Sequence, residues 1–188
     1  MPGVSLVMQA AIRFIGALVL LVLWARWRKT PLFAADGTLA AGLLSGCLFS
    51  AEFFLIFHGL AYTTASHMTV FIYLSPCVAA IGLQRFVPGE QLSMRQWLGM
   101  LTAFSGVVVA FADGFLQSDR ATITGDAMAI VAGIIWGATT VVIRATPLSR
   151  ASAEKTYGYQ LAVAAVLLPW ASILIGEPGI VRLTPAII

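Results

Sequence analysis

Six stretches of mostly apolar residues, each long enough to cross a bilayer as a helix, leave this chain few folds to choose from. They run over Ser5–Ala25, Thr38–Leu60, His67–Val87, Arg95–Phe115, Gly125–Thr146 and Thr156–Gly176. A membrane-crossing helix needs about 20 such residues. A spanning β-strand needs roughly half that, with strict alternation, which these stretches lack. Lipid offers no partner for backbone N–H and C=O groups, so helices are the remaining solution. The whole chain agrees: 60% of its 188 residues are apolar and 10% charged, against about 45–50% and about 25% in a soluble domain. The predicted fold class is an all-α polytopic membrane bundle.

The cations mark sides of the membrane. Arg26, Arg28 and Lys29 follow the first stretch, Arg85 and Arg95 flank the third connection, and Arg144, Arg150 and Lys155 flank the fifth. Those alternate loops hold eight of the 11 basic residues; Arg120 and Arg182 lie on the other side, and Arg13 lies inside the first stretch. Loops rich in Lys and Arg stay cytoplasmic, which puts Met1 outside. With no basic residue from Met1 to Ile12, there is no signal-peptide n-region. The reading therefore expects another helix before Met1, and more beyond the Pro-rich end. Scattered in this way, the cations do not form a nucleic-acid surface. Cys47 and Cys77, both inside apolar stretches, read as small packing residues rather than a disulfide.

Small residues recur every four positions: Thr38, Gly42, Gly46 and Ser50; Ala129, Gly133 and Gly137; Thr102, Gly106, Ala110 and Gly114. Each set shares one helix face and lets backbones approach closely, in bundle packing or in a homodimer. Pro76 and Pro169 fall inside the third and sixth stretches, where a missing N–H kinks a helix. The first stretch (Arg13 to Leu21) and the sixth (Tyr159 to Leu167) share a polar head before a small, apolar run. They cross in opposite directions, as in an inverted repeat.

Ionisable residues inside spans are functional candidates because desolvation is costly. Arg13 and Glu52 lie near the middle of the first and second spans. Two readings are open: an ion pair holding adjacent spans together, or two groups facing an aqueous cavity that binds a charged metabolite or carries protons. Tyr73, Trp136, Tyr159 and Gln160 are the other cavity candidates, since aromatic and amide groups at membrane depth suit a pocket for a small solute. His58 and His67 bracket the Ala61–Ser66 turn and are expected at the solvent-reachable interface. No metal-ligand spacing, catalytic constellation or nucleotide-binding loop is present in the sequence, so no metal, cofactor or enzyme activity is expected.

The run of motifs resembles the EamA-type family of the drug/metabolite transporter superfamily. It is carried by Gln9-Ala10-Ala11-Ile12-Arg13-Phe14, His58 to Ser66, Tyr73-Leu74-Ser75-Pro76, Pro88-Gly89-Glu90-Gln91-Leu92-Ser93 and Trp97-Leu98-Gly99. Gly125-Asp126, Trp136-Gly137 and Glu154-Lys155-Thr156-Tyr157 continue it. The resemblance implies two inverted five-helix repeats. Residues 1–116 would be most of the first, without its opening helix, and 117–188 the start of the second, opened by Trp136-Gly137. It implies an exporter of small metabolites such as amino acids across the inner membrane, with protons as a candidate coupling ion. The partners expected are the lipid bilayer and a small-molecule solute, with no nucleic acid. The alternative is a non-transporting scaffold, or a transport-incompetent fragment.

Overall fold

The computed structural model describes residues 4–32, 34, 36–112 and 120–180. Seven α-helices appear among them: α1 (Leu6–Arg28), α2 (Leu39–Gly59), α3 (Ala65–Ile72), α4 (Ser75–Phe86), α5 (Met94–Ala110), α6 (Arg120–Ala145) and α7 (Ala153–Leu174). A 3₁₀ turn, Pro147–Arg150, joins α6 to α7.

The helix boundaries follow from local chemistry. Ser93 and Gln96 form a reciprocal capping box that starts α5, and the hydroxyls of Thr64 and Ser152 accept N–H bonds at the starts of α3 and α7. Gly89, at φ 86°, turns the chain between α4 and α5. Pro76 sits in the first turn of α4, just after the Tyr73-Leu74 break, where its missing N–H costs little. α3 and α4 together make one 22-residue apolar span. Pro169, by contrast, lies inside α7, which runs through it to Leu174.

Among the described residues, five helical segments are long and apolar enough to cross a bilayer. The fourth expected span ends earlier than its pattern suggested: α5 has 17 residues, the short end of what crosses. Residues 113–119, which include Gly114 and the end of that expected span, lie outside the described set, as does Arg182.

In order of packing, the helices run α1, α7, α2, α6 and then α3–α4. α2 is central, with α6 and α7 both packed on it. Small residues permit this. A Cβ on Gly46 would stand 2.6 Å from Val163, and one on Gly137 would stand 2.9 Å from the Ser75 carbonyl. Two of the expected stripes therefore lie at helix crossings. The third, on α5, does not: nothing lies within 4 Å of a Cβ on Gly106, and no residue of α5 is buried.

α1 and α7 run antiparallel. Ser5 N donates to the Gly179 carbonyl (2.9 Å), and Val7 N donates to Glu177 Oε1 (3.3 Å). Glu177 thus serves the open N–H groups and positive pole at the start of α1 from the far end of the chain. Val7, Ala10, Ala11, Ala164 and Leu168 form the buried core here, with Phe14, Phe49, Phe53 and Phe57 packed against it. The outward faces carry exposed Leu20, Leu23, Ile81 and Leu174. That much exposed apolar surface is tolerable only in lipid. The protein is a multi-pass membrane protein.

Candidate functional site

Although α6 and α7 both lie on α2, they diverge from one another. The gap between them is a cavity of about 740 Å³, lined at one end by Leu148, Ser149, Ala151 and Ala153 of the following connection. Each wall follows from helical spacing. α2 contributes Phe49, Glu52, Phe53 and Ile56; α6 contributes Trp136, Thr140 and Arg144; α7 contributes Thr156, Tyr157 and Gln160. These spacings of three and four place each set on one helix face.

Glu52 is the notable wall residue. It is 3% exposed. Among the described residues it has no hydrogen-bond or ion-pair partner. An ionised carboxylate removed from water needs a cation or a proton beside it, so the cavity offers one end of an interaction and leaves the other open. Gln160 is fixed by its own amide, with Nε2 donating to Ser45 Oγ at 3.0 Å in a buried contact between α7 and α2.

Of the six residues expected to meet, the structure brings three together: Glu52, Trp136 and Gln160. The other three lie elsewhere. Arg13 is exposed on α1 with its guanidinium carbon 6.0 Å from the Phe57 ring centroid. The expected Arg13–Glu52 ion pair is not formed, because α1 lies chiefly against α7 and meets α2 only lightly. Tyr73 is 52% exposed at the α3–α4 break. Tyr159 turns to the other side of α7, its hydroxyl 3.2 Å from Thr38 Oγ1.

Arg144 had been read only as a topology marker, yet it lines the cavity and pairs with Glu90 near the α4–α5 turn. Its place four residues after Thr140 and eight after Trp136 is the signal that could have found it. A second clasp lies at the same end: Lys155 Nζ is 2.7 Å from Asp36 Oδ2 and donates to the Ala34 carbonyl at 2.6 Å. The Lys155 ammonium beside Asp36, aided by the Thr38 hydroxyl, holds the Asp36 carboxyl at about 2, below its usual value near 3.8.

The opposite end is packed. His67, expected at the solvent-reachable interface, is fully buried. The correction comes from Asp126 on α6: His67 Nδ1 is 2.8 Å from its Oδ2, and Thr63 donates to its Oδ1 at 2.6 Å. A buried imidazole is retained there because a carboxylate faces it. Gly125 packs against Thr63, and Gly59 against Met68. His58 is half-buried, stacked on Phe54 with ring centroids 5.4 Å apart. The cavity's lining thus reaches the basic connection that carries Arg144, while the Ala61–Ser66 end of the bundle is packed.

Comparison with known proteins places this architecture. The EamA-like transporter family matches residues 1–112. A protein of Archaeoglobus fulgidus described as an uncharacterized transporter is 33% identical over 135 residues, covering 69% of this chain and 45% of that protein. This chain therefore spans less than half the length of that curated relative. One solved protein crystal structure superposes with a TM-score of 0.77 at 23% identity, over 96% of this chain and 62% of that one, and so shares the fold.

Proposed function

This chain belongs to the EamA-like transporter family, and on that premise we propose that it supplies the solute-binding wall of a secondary transporter for small organic metabolites. The carrying observation is Glu52, almost fully buried and without a partner among the described residues, on a cavity that also presents Trp136 and Gln160. A polarised site with an apolar surround orients a small polar solute. Its lining beside the basic connection, with Arg144 on its wall, puts it within reach of cytoplasmic solute on the positive-inside argument. That favours export across the inner membrane, with the first residues on the periplasmic side. Amino acids and related metabolites fit the size and mixed polarity of the site. Glu52 is the group we assign to carry the coupling proton when no solute cation is present. The two-repeat organisation, dividing near residue 116, belongs to the same proposal.

The test is uptake of candidate amino acids from the medium into inside-out vesicles containing the full-length gene product. Glu52→Gln should flatten the pH dependence of transport, while Trp136→Phe and Gln160→Ala should change apparent affinity or substrate preference at near-normal expression. A substrate profile untouched by all three substitutions would remove the cavity from the pathway. Absence of flux from the wild-type protein, with a growth or assembly phenotype retained, would favour a scaffold role.

A further inference from the structure

From a groove on the far side of α7, we infer a binding site for one anionic phospholipid. Two cavities, of about 650 and 450 Å³, lie along the end of α1 and against Leu32 and Ala34 beyond it, and the larger also reaches the start of α7. They share Val22, Leu32 and Ala34, so they form one groove with two lobes.

The larger lobe suits hydrocarbon. Leu18, Val22, Leu39 and Ala162 contribute its apolar wall. Its polar groups already have partners within the protein: Lys155 with Asp36 and the Ala34 carbonyl, and Tyr159 with Thr38. The smaller lobe carries Arg26 and Lys29. Neither has an ion-pair partner among the described residues, and no carboxylate lines either lobe except Asp36, which Lys155 engages.

Depth gives the groove its direction. Leu18 lies eight residues before Arg26 on α1, about 12 Å deeper at ~1.5 Å per residue. Trp24 and Trp27, both exposed, flank the cationic lobe, and exposed Trp marks the level where hydrocarbon meets headgroups. The apolar lobe is thus inside the hydrocarbon and the cationic lobe at the phosphate level. A phospholipid has the same order, with an acyl chain for the larger lobe and a phosphate for Arg26 and Lys29. Two uncompensated cations select an anionic headgroup, as basic pockets between membrane helices do. Tyr159 has its place here, as part of the acyl-chain wall rather than of the solute cavity.

The site is tested on delipidated full-length protein by native mass spectrometry, titrating phosphatidylglycerol and phosphatidylcholine of identical chains. At roughly 1 kcal/mol per cation, phosphatidylglycerol should be retained about thirtyfold more strongly. Arg26→Gln with Lys29→Gln should bring the two lipids level, since both residues are exposed and their loss leaves the packing intact. Ala162→Trp, which fills the acyl lobe, should weaken both lipids alike. Inorganic phosphate in millimolar excess should not displace the bound lipid. Equal retention of the two lipids by the wild type, an unchanged preference in the double variant, or full displacement by phosphate would each overturn the assignment.

Discussion

Asp36 and Lys155 show how much a single long-range contact adds to what sequence patterning can predict. They are 119 positions apart in a chain where each reads as an ordinary loop charge, yet they meet at 2.7 Å with Lys155 almost fully buried. Because the folded-state carboxyl is held at about 2, below its ordinary 3.8, the pair's contribution is complete above roughly pH 4 and is lost as pH falls toward 2. Thermal midpoints followed from pH 6 to pH 2 should drop over that lower window, and Asp36→Asn should remove that part of the pH dependence. A variant with the same acid limb as the wild type would show that Asp36 titrates normally. Arg13 and Glu52 teach the converse. Their matched depth in adjacent spans made a pair reasonable, but neighbours in sequence are not neighbours in the bundle. A double-mutant cycle on Arg13→Ala and Glu52→Ala should give a coupling energy below about 0.5 kcal/mol, as for separated sites. Recovery of expression in the double variant would restore the ion pair. His67 was misread for a related reason: its buried state depends on Asp126 of α6, 59 positions away in sequence.

At the scale of helices, four-residue spacing identified which residues share a face but not which faces meet. The stripes of α2 and α6 lie at crossings, whereas the equally regular stripe of α5 faces outward. The difference is one of partners, which no single-helix pattern contains. Gly133→Ala and Gly106→Ala make a matched pair of substitutions. A Cβ at Gly133 would stand 2.8 Å from the Phe71 carbonyl oxygen, so α6 would have to move from α3 at a cost of about 1–3 kcal/mol. At Gly106 there is nothing to meet, and the better helix propensity of Ala favours the variant by up to about 1 kcal/mol. Melting in detergent should fall for the first and hold or rise for the second. Equal effects would mean that α6 and α3 are not in backbone contact. Span positions themselves were readable because lipid imposes length and polarity on every helix that crosses it. Where a kink at Pro76 was expected inside the third span, the helix instead stops at Ile72 and restarts at Ser75, with Pro76 in the new first turn.

For the whole molecule, loop charge predicted which connections share a side, and the contacts agree: Asp36 with Lys155, and Glu90 with Arg144, each join two of the three basic connections. The cavity itself was not readable, because it exists only where α6 and α7 separate on the surface of α2. Three of its residues were nonetheless anticipated, since Glu52, Trp136 and Gln160 are chemically out of place in a merely structural apolar helix. In a variant lacking Cys47 and Cys77, cysteine at Ala61 should react with an impermeant thiol reagent from the periplasmic side. Cysteine at Ser93 should react only from the cytoplasm, and the reverse pattern would invert the orientation.

That same background offers the most direct test of the central claim, that a solute cavity between α2, α6 and α7 is reached from the basic-loop side. Thr140 lines this cavity from α6. Cysteine placed there should be labelled by the impermeant reagent from the face that labels Ser93, and not from the face that labels Ala61. No labelling from either side, or labelling only from the Ala61 side, would contradict it.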